Sequence, residues 1–105
     1  MDVVTAHQLT QAHLLLDVRE PDEWAAGRIP GALHVPMGQL NARQDELPTD
    51  RLIVVVCRSG NRSGMVTGAL QQAGYRAENL EGGMQDWHAH GQPREADGDG
   101  EPYVA

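Results

Sequence analysis

The stretch Leu52-Ile53-Val54-Val55-Val56-Cys57-Arg58-Ser59-Gly60-Asn61-Arg62-Ser63 decides the fold. Its first five residues are aliphatic without alternation, the pattern of a strand buried on both faces, as in a parallel sheet covered by helices. The run stops at Cys57 and a polar, glycine-containing loop follows at once. Arg62 to Ala73 then places Val66, Ala69, Leu70 and Ala73 on one face of a helix, with Gly74 as its C-cap.

The flanking sequence repeats this alternation. Leu14 to Val18 is a second flat apolar run, broken only by Asp17, and reads as another buried strand. Pro21 suits the first turn of a short helix through Ala26, with Asp22 and Glu23 near its positive end and Gly27 closing it. Upstream, Val3-Val4 reads as a short extended start, and Thr5 with Gln8 has the form of a capping box for a helix from Ala6 to Ala12. Pro30-Gly31 turns the chain into a brief strand at Leu33 to Val35, and a helix-compatible stretch follows from Met37 to Leu47. A fifth short strand is expected at Glu78 to Leu80, a turn at Gly82-Gly83, and a last helix from Met84 to His90. Strands alternating with helices predict an α/β domain of three layers around a parallel sheet.

A chain of 105 residues holds one core. Only Trp24, Trp87, Tyr75 and Tyr103 are aromatic, so aliphatic packing must supply most of the stability. The formal charge of −7 arises from 15 acidic residues against eight Arg with no Lys, the opposite of the balance expected of a nucleic-acid binder. Residues 95 to 105 contain Glu95, Asp97, Asp99 and Glu101 and no base; the domain proper is expected to span residues 1 to 93, with residues 94 to 105 an acidic, mobile tail. One cysteine excludes an internal disulfide and a Cys-pair relay, and His7, His13, His34, His88 and His90 show no zinc-type spacing, so neither metal nor cofactor is expected. No basic leader, apolar membrane span or membrane partner is anticipated, which makes the cytoplasm the expected location.

The loop Cys57 to Arg62 can fold as a cradle at the carboxyl end of a strand, where inward-pointing amides and the start of the next helix favour an anion. Gly60 permits the turn. A cysteine there is expected to be an ionised, solvent-reachable nucleophile instead of core filling, with a pKa drawn from about 8.5 into the range of about 3.5 to 7.5. Two chemistries suit a thiolate in an amide cradle: phosphoryl transfer and sulfur transfer. Only the four residues Arg58 to Asn61 stand between Cys57 and Arg62, one fewer than in cysteine-dependent phosphatases, and the tighter ring suits one added sulfur atom better than a phosphoryl group.

With these residues in view, the chain resembles the single-domain members of the rhodanese family of sulfurtransferases. The resemblance rests on Leu16 to Trp24 with Gly27 to Ala32, on Val54 to Ser63, and on Leu80 to Met84 with Trp87 and Gly91-Gln92-Pro93, in that order along residues 1 to 93. It implies a five-stranded parallel sheet with helices on both faces and a ping-pong transfer through a Cys57 persulfide. The donor would be a small anion such as thiosulfate and the acceptor cyanide or a cellular thiol, a protein thiol included. Arg58, Ser59, Gly60, Asn61, Arg62 and Ser63 would form the cradle, with Arg58 and Arg62 attracting the donor and the departing sulfite. Arg28 stands where many relatives have His, and Arg58 favours thiosulfate over mercaptopyruvate.

Other residues have plainer readings. Asp17 with Arg19 is expected to be a structural ion pair, and Glu23 and Arg28 are expected to be surface charges or charges one layer behind the site. Trp24 and Trp87 should pack helices onto the sheet, with a place at the pocket mouth the alternative, and Gly82-Gly83 is explained by its turn, with close backbone approach near the active loop the alternative. The alternatives to the enzyme are a persulfide carrier or regulatory module that docks through the acidic tail, and a cysteine-dependent phosphatase or arsenate reductase.

Overall fold

A computed structural model describes residues 1–8 and 12–105. In chain order the elements are α1 (Val3–Gln8), β1 (His13–Asp17), α2 (Pro21–Ala26), β2 (Leu33–His34), two 3-10 turns (Met37–Gln39 and Gln44–Glu46), β3 (Leu52–Val56), α3 (Asn61–Gln72), β4 (Ala77–Asn79) and α4 (Gly83–Ala89). The sheet is parallel throughout, in the order β2-β1-β3-β4, with Asp17 level with Val56 and Val55 with Asn79. Side chains alternate across it. Leu16, Val18, Ile53, Val55 and Cys57 pack with Val66 and Leu70 of α3 on one face, while Leu15, Val54 and Val56 meet Ala6 of α1 and Met84 and Trp87 of α4 on the other. β3 supplies buried side chains to both layers, as its unbroken aliphatic sequence requires.

Among the described residues the sheet has four strands, not five. The first expected strand, Val3-Val4, is helical, because Asp2 takes the capping role ahead of Thr5: its Oδ1 accepts the Thr5 amide at 2.7 Å and its carbonyl accepts the Ala6 amide at 3.0 Å. The turn of helix buries Val3 and Ala6 together, which an extended chain would point to opposite sides. What remains of the missing strand is Met1. Its amino group donates to the Asn79 carbonyl at 2.7 Å and its carbonyl accepts the Glu81 amide at 2.8 Å, the bonding of a one-residue parallel partner beside Leu80. Part of the helix expected over Ala6 to Ala12 lies outside the described residues.

The Met37 to Leu47 stretch forms two 3-10 turns instead of a helix. Pro36 and Pro48 bracket it, Gly38 and Asn41 weaken its helical preference, and Arg43 grips Glu46 at 2.6 and 2.9 Å across the second turn. No helix among the described residues is long and apolar enough to cross a membrane.

Residues 94 to 105, expected to be a mobile tail, lie docked against α2. Glu95 and Arg28 exchange backbone hydrogen bonds at 2.9 and 3.0 Å, and the Asp97 and Tyr103 amides donate to the Ala25 and Ala26 carbonyls. Val104 packs on the cluster around Trp87. Gly27 makes this approach possible, since a Cβ there would meet the Tyr103 carbonyl oxygen at 2.5 Å. Two of its four carboxylates meet the Arg28 guanidinium, Glu95 at 3.4 Å and Asp97 at 2.9 Å.

Candidate active site

The chain leaves β1 toward β2 on one side and leaves β3 toward β4 on the other, so a crevice opens between the carboxyl ends of the two central strands. Cys57, the first residue beyond β3, sits there. Three residues on, Gly60 adopts a left-handed conformation (φ 106°) that brings its amide back to Cys57 Sγ at 3.0 Å and starts α3. One turn into that helix the Ser63 hydroxyl reaches the same sulfur at 3.1 Å.

The amides face inward because the carbonyls are claimed from outside. The first amides of α4, Met84 and Gln85, donate to the Cys57 and Arg58 carbonyls at 2.9 and 3.0 Å. The Gly60 carbonyl accepts from the Gly64 amide at 3.0 Å and from Asn79 Nδ2 at 3.1 Å. Such an approach of α4 requires Gly83: at φ 56° its missing Cβ would meet the Arg58 carbonyl carbon at 2.8 Å. Close approach, not the turn alone, therefore accounts for this glycine.

Burial raises the Cys57 thiol, since the residue is only 1 % exposed. Hydrogen bonds from the Ser63 hydroxyl and from the Ser63, Gly60 and Ser59 amides outweigh that effect, and the thiol lies below its ordinary value. Hydrogen-bond donors thus lead the causes of the expected acidity. The expected solvent-reachable sulfur is corrected: Cys57 is buried, and its Sγ is held by the Gly60 amide and the Ser63 hydroxyl.

Ser63 Oγ has one proton and faces two acceptors, Cys57 Sγ and Asn79 Oδ1, the latter at 2.5 Å. With the thiol protonated, S–H can donate to Oγ while the hydroxyl donates to Asn79; on ionisation the hydroxyl turns to sulfur. Asn79, at the end of β4, thereby touches both ends of the donor set, through Gly60 and Ser63, and sequence reasoning missed it. Its only signal was a polar residue closing a strand beside the active one.

The structure separates the remaining loop residues. Arg58, Ser59 and Asn61 are exposed on the rim. Arg62 is engaged in a two-pronged ion pair with Glu23, Nη1 to Oε1 at 2.7 Å and Nη2 to Oε2 at 2.8 Å. The guanidinium holds the Glu23 carboxyl below its usual range. Of the two expected roles for Glu23 the structure shows the supporting one, since it joins the start of α2 to the start of α3. Behind it Asp17 and Arg19 pair at 2.8 Å, both fully buried, and Arg19 Nη2 also donates to the Gly27 carbonyl at 2.7 Å. Trp87 packs in the core, whereas half-buried Trp24 stacks on His34 with ring centres 4.5 Å apart.

A parallel α/β domain with one cysteine in an amide ring at its switch point has the arrangement that cysteine-dependent group transfer requires. The Rhodanese-like domain model matches residues 2–90, and the chain belongs to that family. It is 47% identical over 85 residues to a sulfurtransferase of Allochromatium vinosum, covering 80% of this chain and 79% of that one. The YtwF protein of Bacillus subtilis is 41% identical over 80 residues, 76% of this chain and 78% of its own. Among solved structures, a rhodanese-related protein from Thermoplasma volcanium superposes with a TM-score of 0.88 at 31% identity, over 92% of this chain and 97% of the other.

Proposed function

We propose that the protein is a sulfurtransferase that accepts the outer sulfur of thiosulfate, or of a related small anionic donor, on Cys57 and passes it to a thiophilic acceptor. The observation that carries this reading is the donor set on one sulfur: the Gly60 amide at 3.0 Å and the Ser63 hydroxyl at 3.1 Å. These groups favour the thiolate before the donor arrives and remain in place to hold a sulfur-centred anion afterwards.

In the first half-reaction Cys57 Sγ attacks the outer sulfur of thiosulfate. An S–S bond forms to the enzyme, the donor's own S–S bond breaks, and its electron pair leaves with sulfite. Residue 57 is then a persulfide whose outer sulfur lies within reach of the ring. In the second half-reaction a nucleophile, cyanide or a small or protein thiolate, attacks that outer sulfur; the pair of the Cys57 S–S bond returns to Sγ and restores the thiolate. The short loop and a sulfur already held by the Gly60 amide and the Ser63 hydroxyl favour transfer of one atom over transfer of a tetrahedral phosphoryl group. A sulfurtransferase relative at 47% identity supports the same choice.

Intact-mass measurement after exposure to thiosulfate tests the first step. The wild type should gain one sulfur atom, lose it on addition of cyanide, and produce thiocyanate in turnover; Cys57→Ser should do none of these. Absence of the adduct in the wild type, or aryl phosphate hydrolysis that depends on Cys57, would overturn the reading.

A further inference from the structure

Two arginines flank the ring in sequence, yet the structure gives them different surroundings. Arg58 stands exposed on the rim, and among the described residues its guanidinium has no ion-pair partner. Arg62 has both terminal nitrogens committed to Glu23, with side-chain exposures of 32% and 13%. We propose that Glu23 sets the charge selectivity of the site: by gripping Arg62 it withholds that cation from the ring and leaves recognition of an anionic donor to Arg58. The proposal rests on the sulfur-transfer reading for the identity of the donor, but not for the electrostatics of the loop.

Three features make the grip firm. The contact is a fork with two parallel N–H···O bonds, a geometry that orients the guanidinium as well as neutralising it. Glu23 is itself anchored, since its Oε1 accepts the Glu20 amide at 3.1 Å in the capping box of α2. The carboxylate cannot follow Arg62 toward the ring without opening the end of that helix. Behind the fork the buried Asp17–Arg19 pair adds one charge of each sign, so all four groups together present no net charge to the ring. Arg58 stands outside this balance.

The test uses two reagents of similar size and opposite design, iodoacetate, which is anionic, and iodoacetamide, which is neutral. Their alkylation-rate ratio at Cys57 reads the potential at the sulfur without any sulfur transfer. Glu23→Gln keeps a side-chain oxygen for the Glu20 amide, and it should raise the iodoacetate preference by about threefold to tenfold, the effect of one released charge near the ring. Adding Arg62→Gln to Glu23→Gln should cancel that gain, Arg58→Gln should lower the ratio, and Glu46→Gln, which removes a carboxylate elsewhere, should leave it alone. Glu23→Asp, too short to span both nitrogens, gives an intermediate gain should Glu23→Gln fold poorly. A ratio unchanged or lowered by both Glu23 variants overturns the proposal, as does a gain that survives loss of Arg62. Sulfur loading followed in parallel separates the two claims. Expected ratios without loading by thiosulfate would sink the donor reading alone, and normal loading with unmoved ratios would sink the role of Glu23 alone.

Discussion

At the scale of single residues, the acidity of Cys57 is a contest between burial, which favours the neutral thiol, and hydrogen bonds, which favour the thiolate and win. Removing the Ser63 hydroxyl should tilt that contest. A hydrogen bond to an ionised group is worth about 1.5–3 kcal/mol, so Ser63→Ala should slow alkylation of Cys57 at neutral pH by about tenfold or more, with the rate recovering as pH is raised. Ultraviolet absorbance of the thiolate should show its midpoint displaced upward, and an unmoved midpoint would remove Ser63 from the donor set. The same shift has a consequence for stability. Because the folded-state pKa is depressed, the thiolate contributes stability that is present above the unfolded pKa and is lost as pH falls through the folded one. The melting temperature of the wild type should therefore rise relative to Cys57→Ser as the solution is made alkaline. A difference independent of pH would contradict the depressed value.

At the scale of elements, the parts legible in the sequence are those whose cause is local. β3 was readable to its ends because five aliphatic residues in a row have no amphipathic alternative, and α2 because Pro21 opens it and Gly27 closes it. The loop from Cys57 to Ser63 was readable for the same reason, being contiguous. The contributions of Asn79 and Glu23 were not, since they reach the loop from 16 and 39 residues away, and no spacing rule connects them. Gly83 shows the same limit: a glycine after a glycine signals a turn, but only the packed structure shows α4 seated against the Cys57 and Arg58 carbonyls. Gly83→Ala should therefore cost more than conformational strain. Gly31, at φ 82° with nothing within 4 Å of its missing Cβ, supplies the comparison. Gly31→Ala should destabilise by about 1–2 kcal/mol through strain alone and leave Cys57 alkylation unaltered. Gly83→Ala should lower the melting temperature further and slow alkylation, because the ring carbonyls lose their donors. Equal effects on Cys57 reactivity would show that the approach of α4 does not shape the ring.

At the scale of the whole molecule, the acidic terminal segment lies along α2 and on the cluster around Trp87. Composition pointed the other way, because Gly, Pro and four carboxylates without a base read as chain that cannot bury enough surface to fold. The segment docks for reasons external to it: Arg28 offers a cation, Gly27 leaves room for the backbone near Tyr103, and the cluster around Trp87 accepts Val104. Removing residues 95 to 105 takes away two ion pairs worth at most about 1 kcal/mol each, together with the partial burial of one valine, worth about 1 kcal/mol. The sum, about 1–3 kcal/mol, corresponds to a fall of roughly 5–20 °C in the melting temperature of a domain this size. Alkylation of Cys57 well below the transition should change by less than about twofold, because no residue of the segment contacts the ring and the Glu23–Arg62 fork is anchored by α2's own capping box. A truncated chain that melts with the full one would return these residues to the status of a free tail. One that keeps its melting temperature but loses sulfur transfer only to a protein thiol, and not to cyanide, would make them a docking element for that acceptor.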